Sequence, residues 1–264
     1  MSKYRISVIM GIYNCASTLI EALDSLYAQT YQDFQIIMCD DGSIDNTYII
    51  AKEYAKNHSN IILLKNDYNR GLNYTLNHCL EYVDSEYVAR MDGDDISLPT
   101  RFEKEIAFLD SHPEYAIVSC PMIYFDENGD YKVGQTKSTD PIKRDFILST
   151  PFCHAPCMVR SIAYKAVNGY SVDKRLIRVE DYHLWFKMYA AGYKGHNLSE
   201  PLYKMRDDRN ATRRRTLSNR LNEVYVKHIG YKMLQLPIYS QIYAIRPLLV
   251  WLLPNPIYNY LHRN

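Results

Sequence analysis

A chain of 264 residues with 47% hydrophobic and 23% charged side chains suffices for one large globular domain, alone or with an extension. A formal net charge of +1 argues against a dedicated nucleic-acid binder, although the charge is unevenly spread. From residue 204 onward 11 Lys and Arg face 3 Asp and Glu, whereas residues 1–203 hold 20 against 27, so the body is acidic and the tail basic. The six cysteines form no Cys-x-x-Cys pair and lie largely in apolar runs, a pattern of reduced, buried thiols. The first residues lead straight into a strand with no signal-peptide pattern, and no apolar run reaches the length of a membrane span. The expected location is therefore cytoplasmic.

Arg5 to Met10 is apolar and β-branched, which predicts a buried strand ending at the loop Gly11-Ile12-Tyr13-Asn14. Ser17 is the expected cap of a helix carrying Leu19, Ile20, Leu23 and Leu26. A second strand, Gln35 to Cys39, ends in Asp40-Asp41-Gly42-Ser43, and Asp45 or Asn46 opens the next helix. A third strand, Asn60 to Leu64, precedes Asn69-Arg70-Gly71 and a helix from Leu72. A fourth, beginning at Tyr87, runs into Asp92-Gly93-Asp94-Asp95. Strand and helix alternate, and each polar cluster follows the carboxyl end of a strand. This predicts an α/β fold, a Rossmann-like, mostly parallel sheet with helices on both faces. Right-handed crossovers put those strand ends on one edge, so the loops at Tyr13, Asp41, Arg70 and Asp92–Asp95 are expected to converge.

The acidic turn carries the sharpest chemistry. Three carboxylates in four positions repel one another unless a cation sits among them, and an oxygen-only set suits Mg²⁺ or Mn²⁺ completed by waters and substrate phosphates. Taken alone, the motif is equally a solvated turn between strand and helix. No Gly-x-Gly-x-x-Gly or Walker-type loop follows the first strand, so a dinucleotide fold and a P-loop NTPase both lack their phosphate cradle.

Beyond Pro99 the pattern predicts a helix to about His112, a strand at Ala116 to Cys120 and a hairpin around Asn128-Gly129. A strand at Met158-Val159 and a helix opened by Val179-Glu180-Asp181 and stopped at Gly192 follow. The tail, with Arg213-Arg214-Arg215 and the apolar, aromatic stretch Ile242 to Leu253, reads either as an interfacial membrane contact or as a helix closing the domain.

Six segments then coincide in order. They are Ser-Val-Ile-Met-Gly-Ile-Tyr-Asn at 7–14, Gln-Thr-Tyr-Gln-Asp-Phe at 29–34, Asp-Asp-Gly-Ser at 40–43 and Asn-Arg-Gly-Leu-Asn at 69–73. Arg-Met-Asp-Gly-Asp-Asp-Ile-Ser-Leu-Pro-Thr-Arg-Phe at 90–102 and Val-Glu-Asp-Tyr-His-Leu-Trp at 179–185 complete the set. The set resembles the family 2 glycosyltransferases, inverting enzymes of the GT-A fold that build bacterial polysaccharides such as capsule and O-antigen. The resemblance covers about residues 5–206. It implies a glycosyltransferase domain over 1–206, with a nucleotide-binding half at about 1–98 and an acceptor half at about 99–206. Residues 207–264 are left as a helical, basic extension.

The resemblance also implies roles. Tyr13 stacks on the base of a nucleotide-diphosphate sugar, with Gly11 and Asn14 in the same loop, and Asp41 accepts a hydrogen bond from the base, favouring uracil. Arg70 adds a nucleotide contact. Asp94 matches the ribose-and-metal position, and Asp92, Asp94 and Asp95 are all candidates to touch Mn²⁺ or Mg²⁺. Asp181 matches the catalytic base with Glu180 beside it, while His154 and Arg206 fall on the diphosphate or acceptor side. Two departures stand out: Gly11 replaces a frequent Pro or Thr, and Lys204-Met205-Arg206-Asp207 lacks the family's histidine.

The chemistry requires a base for the acceptor hydroxyl and a counter-charge for the departing diphosphate. Without the other motifs, Asp181 reads as a helix cap, Asp41 as a turn cap and His154 as a hydrogen-bonded loop residue. The expected partners are a UDP-sugar donor, a glycan or lipid-linked acceptor, and the inner membrane surface. Two further readings stand beside this one. One is a glycosyltransferase-like sugar-nucleotide-binding module without turnover. The other is a sugar-nucleotidyltransferase, whose Gly-rich, basic loop is missing after the first strand.

Overall fold

The computed structural model describes residues 2–136, 138–207 and 216–252. The first half alternates as the sequence predicts. Its elements are β1 (Ile6–Ile12), α1 (Leu19–Tyr27), β2 (Phe34–Asp40), α2 (Thr47–Lys56), β3 (Ile61–Lys65), α3 (Leu72–Leu80) and β4 (Tyr87–Asp92). Then come β5 (Ile96–Ser97), α4 (Arg101–Ser111), β6 (Ile117–Ser119), and the hairpin β7 (Met122–Asp126) and β8 (Gly129–Val133). After β9 (Met158–Arg160) and α5 (Ser161–Ala166), α6 spans Glu180–Ala190, followed by β10 (Gly195–Asn197) and β11 (Tyr203–Arg206). Beyond β11 come α7 (Leu217–Met233), α8 (Gln241–Ala244) and α9 (Arg246–Trp251), with Val226 and Tyr231 of α7 in the same core as α6.

Seven strands form the main sheet in the order β10-β6-β9-β4-β1-β2-β3, parallel except for β9, which runs antiparallel between β4 and β6. β5, β11, β7 and β8 make a second, smaller sheet. Alternation along the buried strands divides the apolar side chains between two cores. Val8, Met10, Ile36 and Met38 pack with α1 and α4, whereas Ile9, Ile37 and Val88 pack with α3 and α6. Helices therefore cover both faces, and the loops leaving β1, β2 and β4 share one edge because Gly11 pairs with Cys39 and with Asp92.

Ser17 does not cap α1. Thr18 occupies that position, and its hydroxyl donates instead to the Gly93 carbonyl at 2.9 Å, fastening the acidic turn to α1. In the extension, α7 lies against α6 with Gly230 facing the Phe186 ring so closely that an added Cβ would fall 2.3 Å from it. The Tyr231 hydroxyl donates to the Ile147 carbonyl at 2.6 Å. The Arg213-Arg214-Arg215 run lies outside the described residues. No helix among the described residues is long and apolar enough to cross a membrane.

Candidate active site

Three of the four expected loops are laced together by side chains. The Asp41 carboxylate is buried and accepts the Arg70 and Gly71 backbone N–H groups, both at 2.9 Å, and the Asn66 amide at 2.8 Å. It therefore fixes the loop before α3 rather than capping the turn that follows it. Its neighbour Asp40 accepts the Ser43 N–H and leaves Oδ1 buried without a hydrogen-bond partner among the described residues. Asn14, at a φ of 49°, joins the first loop to the second: its N–H donates to Ser43 Oγ and its Oδ1 accepts the Ile44 N–H, each at 3.0 Å. Tyr13 beside it is 46% exposed, leaving a ring face for a flat ligand. The Arg70 guanidinium lies 3.6 Å over the Tyr74 ring. Gly11 has a packing role, since a Cβ there would press on Leu72 and Thr75 at 3.1 and 3.3 Å.

The three carboxylates of the acidic turn have separate environments. Asp92 is held by Arg90 through two bonds. Asp95 is buried and accepts the Arg206 N–H at 2.8 Å. Burial first, then the charges of Asp92 and Asp94, pushes its carboxyl up to about 8. Asp94 reaches solvent, although desolvation by the surrounding protein and then Asp92 raise it too. Among the described residues no three acidic, His or Cys side chains form a ready cage for an ion. Arg206 braces this turn from β11: its Nε donates to the Asp94 carbonyl at 2.9 Å, and its guanidinium pairs with Glu21 of α1.

Glu180 and Asp181 occupy the first turn of α6. Val179 is the N-cap and no side chain caps this helix, so Asp181 is not there as a cap. The helix dipole favours the ionised carboxylates, but desolvation wins. It raises Asp181, opposed by the Tyr182 N–H and by Arg90, and it pushes Glu180 up to about 7 with help from Asp181. His154 donates or accepts through Nε2 to the Tyr170 hydroxyl at 2.7 Å. Burial and the nearby Arg90 charge hold its imidazole well below the usual histidine range, so it is neutral at pH 7.

Arg90 is the residue that sequence reasoning missed. Its buried charge acts on Asp92 and also on Asp94, Glu180 and Asp181, opposing the burial that raises these last three. The acidic turn and the start of α6 thus both lie within electrostatic reach of one buried cation, and Tyr13, Asp41 and Arg70 lie on loops that follow neighbouring strands of the same sheet.

A mostly parallel sheet of this order, with an acidic turn after β4, is that of the GT-A fold. The S. aureus TarS fragment solved with UDP-GlcNAc matches with a TM-score of 0.71 at 21% identity, over 94% of this chain and 71% of that one. The mannosyltransferase PcManGT of Pyrobaculum calidifontis, solved with GDP-Man and Mn²⁺, matches with a TM-score of 0.67 at 19% identity, over 99% and 79%. The family model for glycosyl transferase family 2 matches residues 7–166. EpsE of Bacillus subtilis (strain 168), whose name places it among the glycosyltransferases, is 39% identical over 260 residues, 98% of this chain and 93% of that protein. WfaP of Escherichia coli, a UDP-Glc:α-D-GlcNAc-diphosphoundecaprenol β-1,3-glucosyltransferase, is 29% identical over 73% of each chain. This chain belongs to glycosyl transferase family 2 and is a nucleotide-sugar glycosyltransferase, a reading favoured over the nucleotidyltransferase and the turnover-free module.

Proposed function

We propose that the enzyme transfers a sugar from a UDP-sugar to a glycan or lipid-linked acceptor, with inversion, and that Asp181 is the general base. The observation that carries this reading is the buried guanidinium of Arg90, which is bonded to Asp92 of the acidic turn and whose charge also reaches Asp181. Residues 1–98 serve the donor and 99–206 the acceptor. Tyr13 stacks on the uracil, Asp41 and Arg70 shape the wall beside it, and Asp94 takes the ribose. UDP-GlcNAc in TarS and the diphosphate-linked acceptor of WfaP support the substrate classes.

A divalent ion fits the acidic turn in one particular way. Asp94 offers an open carboxylate and Asp92 a partly open one, while Asp95 is turned to the Arg206 N–H. One or two carboxylates, with substrate phosphates and water supplying the rest, is the habit of Mg²⁺ and Mn²⁺ with nucleotides. When bound, the ion supplies neutralisation of the charge that develops on the diphosphate. This chain's own contribution is to orient the donor between Tyr13 and Asp94 and to hold an ionised Asp181 toward the acceptor hydroxyl. Activity then falls on the acid side as Asp181 is protonated.

A panel of sugar nucleotides assayed by thermal shift with and without Mn²⁺ tests the donor and metal assignments, since a ligand of the folded state raises the melting temperature. The expected outcome is stabilisation by a UDP-sugar that depends on Mn²⁺ and is lost in Asp94→Ala. Asp181→Asn should keep that stabilisation and lose transfer by about two to four orders of magnitude. Full transfer by Asp181→Asn would remove the base assignment.

A further inference from the structure

A cavity of about 420 Å³ is lined in part by Asp181. Its walls are the 148–150 loop, Arg178 and Val179 ahead of α6, Arg220, Glu223 and Lys227 of α7, and Arg246, Pro247 and Val250 of α9. None of Tyr13, Asp41, Arg70, Asp92 or Asp94 lines it. Among the described residues, four cations and two carboxylates line it. Glu223 pairs with Arg220 at 2.6 Å, and Asp181 shares the cavity wall with Arg178 and Arg246. Lys227 is buried and points its ammonium at the Ile147 and Leu148 carbonyls, at 3.3 and 3.1 Å. Arg220 Nε is buried without a hydrogen-bond partner among the described residues. Arg178 and Arg246 are exposed, and no ion pair to a described residue engages either guanidinium.

Such an excess of like charge in a walled cavity repels itself and draws in an anion. The volume is that of a small-ligand site, large enough for a sugar with a phosphate or two. The apolar neighbours of Arg246 narrow the chemistry further. Ile242 of α8, Leu249 of α9 and Ile245 between them are exposed, so the anion site borders an apolar surface.

We propose that this cavity binds the phosphate or diphosphate of an amphiphilic acceptor, with Arg178, Arg220, Lys227 and Arg246 around the anion and the acceptor sugar's hydroxyl at Asp181. The inference rests on the reading of Asp181 as the base only for the direction in which the sugar points. The anion site stands on its own residues. Arginine suits it because its planar fork meets phosphate oxygens two at a time.

Calorimetric titration of the full chain with geranyl diphosphate, in saturating UDP and Mn²⁺, tests the site. Binding alongside UDP is expected, weakened about tenfold in R178Q and in R246Q, the loss of one charge-assisted contact. R246K should recover part of the affinity, and all three variants should keep the wild-type melting temperature and UDP affinity. Unchanged affinity in both glutamine variants, or binding that UDP displaces, would overturn the proposal. Phosphatidylglycerol vesicles separate a bilayer headgroup from an acceptor's own phosphate. If the glutamine variants lose vesicle binding while geranyl diphosphate affinity is intact, the cavity reads lipid headgroups and the acceptor assignment fails. D181N should bind geranyl diphosphate at least as tightly as the wild type, because it removes a negative charge from the cavity wall. Should D181N still transfer sugar, the base assignment falls while the anion site remains.

Discussion

The Arg90 guanidinium grips the Asp92 carboxylate with two bonds, Nη1 to Oδ2 at 2.8 Å and Nη2 to Oδ1 at 2.5 Å. The residues stand two apart on β4, so their side chains share a face of the strand. Arg90 is 4% exposed, and its charge acts through protein rather than through water. It therefore does two things at once: it orients one carboxylate of the acidic turn, and it opposes the burial that raises Asp181.

Arg90→Gln should separate these effects from simple loss of fold. Removing the buried member of this bidentate pair, whose other member Asp92 is partly open, costs at most about 3 kcal/mol, and the melting temperature should fall accordingly. Because the Arg90 charge lowers Asp181, its loss should move the acid limb of the kcat/KM–pH profile to higher pH. A profile that drops in height with no displacement of that limb would limit Arg90 to a structural role.

Asp95 makes stability depend on pH in the direction opposite to an ordinary salt-bridged carboxylate. Its carboxyl is raised from 3.8 to about 8 in the folded chain, so the folded state prefers the protonated form. The sign follows from linkage: the benefit is complete below about pH 4 and is lost as pH rises toward 8. Asp95→Asn keeps an oxygen for the Arg206 N–H and removes the charge. It should raise the melting temperature by several degrees at pH 8 and leave it nearly unchanged at pH 4, as differential scanning fluorimetry can measure. Equal effects at both pH values would mean that Asp95 is ionised throughout.

The parallel core was legible because β1, β2 and β4 are continuous apolar runs, and the polar clusters after them could only fall on one edge. β9 was visible as a strand, but its antiparallel place between β4 and β6 was not, since three residues carry no register of their own. β5 and β11 are short for the same reason and depend on each other and on β7. Arg90 did leave a signal: an arginine inside an otherwise buried strand, two positions before an aspartate, has little choice but to pair with it. The cations around the cavity left none. Arg178, Arg220, Lys227 and Arg246 come from three separated stretches, and only the docking of α7 and α9 beside α6 brings them together.

That docking has its own test at Gly230. A Cβ at this position would meet three atoms of the buried Phe186 ring at 2.3 to 2.5 Å, closer than side-chain atoms approach, and Phe186 lies at 0% exposure among packed aromatics. Gly230→Ala should therefore destabilise by overpacking, by about 1–3 kcal/mol, even though alanine favours the helix itself. Urea unfolding measures it. A variant as stable as the wild type, or more so, would show that α7 is not seated on α6 in solution.

The apolar face of α8 and α9 makes a second claim on the extension. Ile242, Leu249 and Leu252 are 72%, 61% and 69% exposed, with Arg246 on the same short helices. Two helices of four and six residues cannot cross a bilayer, but they can lie in its surface with a basic side chain toward anionic headgroups. Each large aliphatic side chain fully withdrawn from water contributes about 1.5–3 kcal/mol, and each basic residue near an anionic surface about 1 kcal/mol. Ile242→Glu combined with Leu249→Glu should thus cut co-sedimentation with phosphatidylglycerol vesicles at least tenfold. Because both side chains already face outward, the double variant should melt as the wild type does. High salt should weaken the wild-type interaction only in part, since the apolar share is not screened. Partitioning that the double variant leaves unaltered would mean that this face meets something other than a membrane.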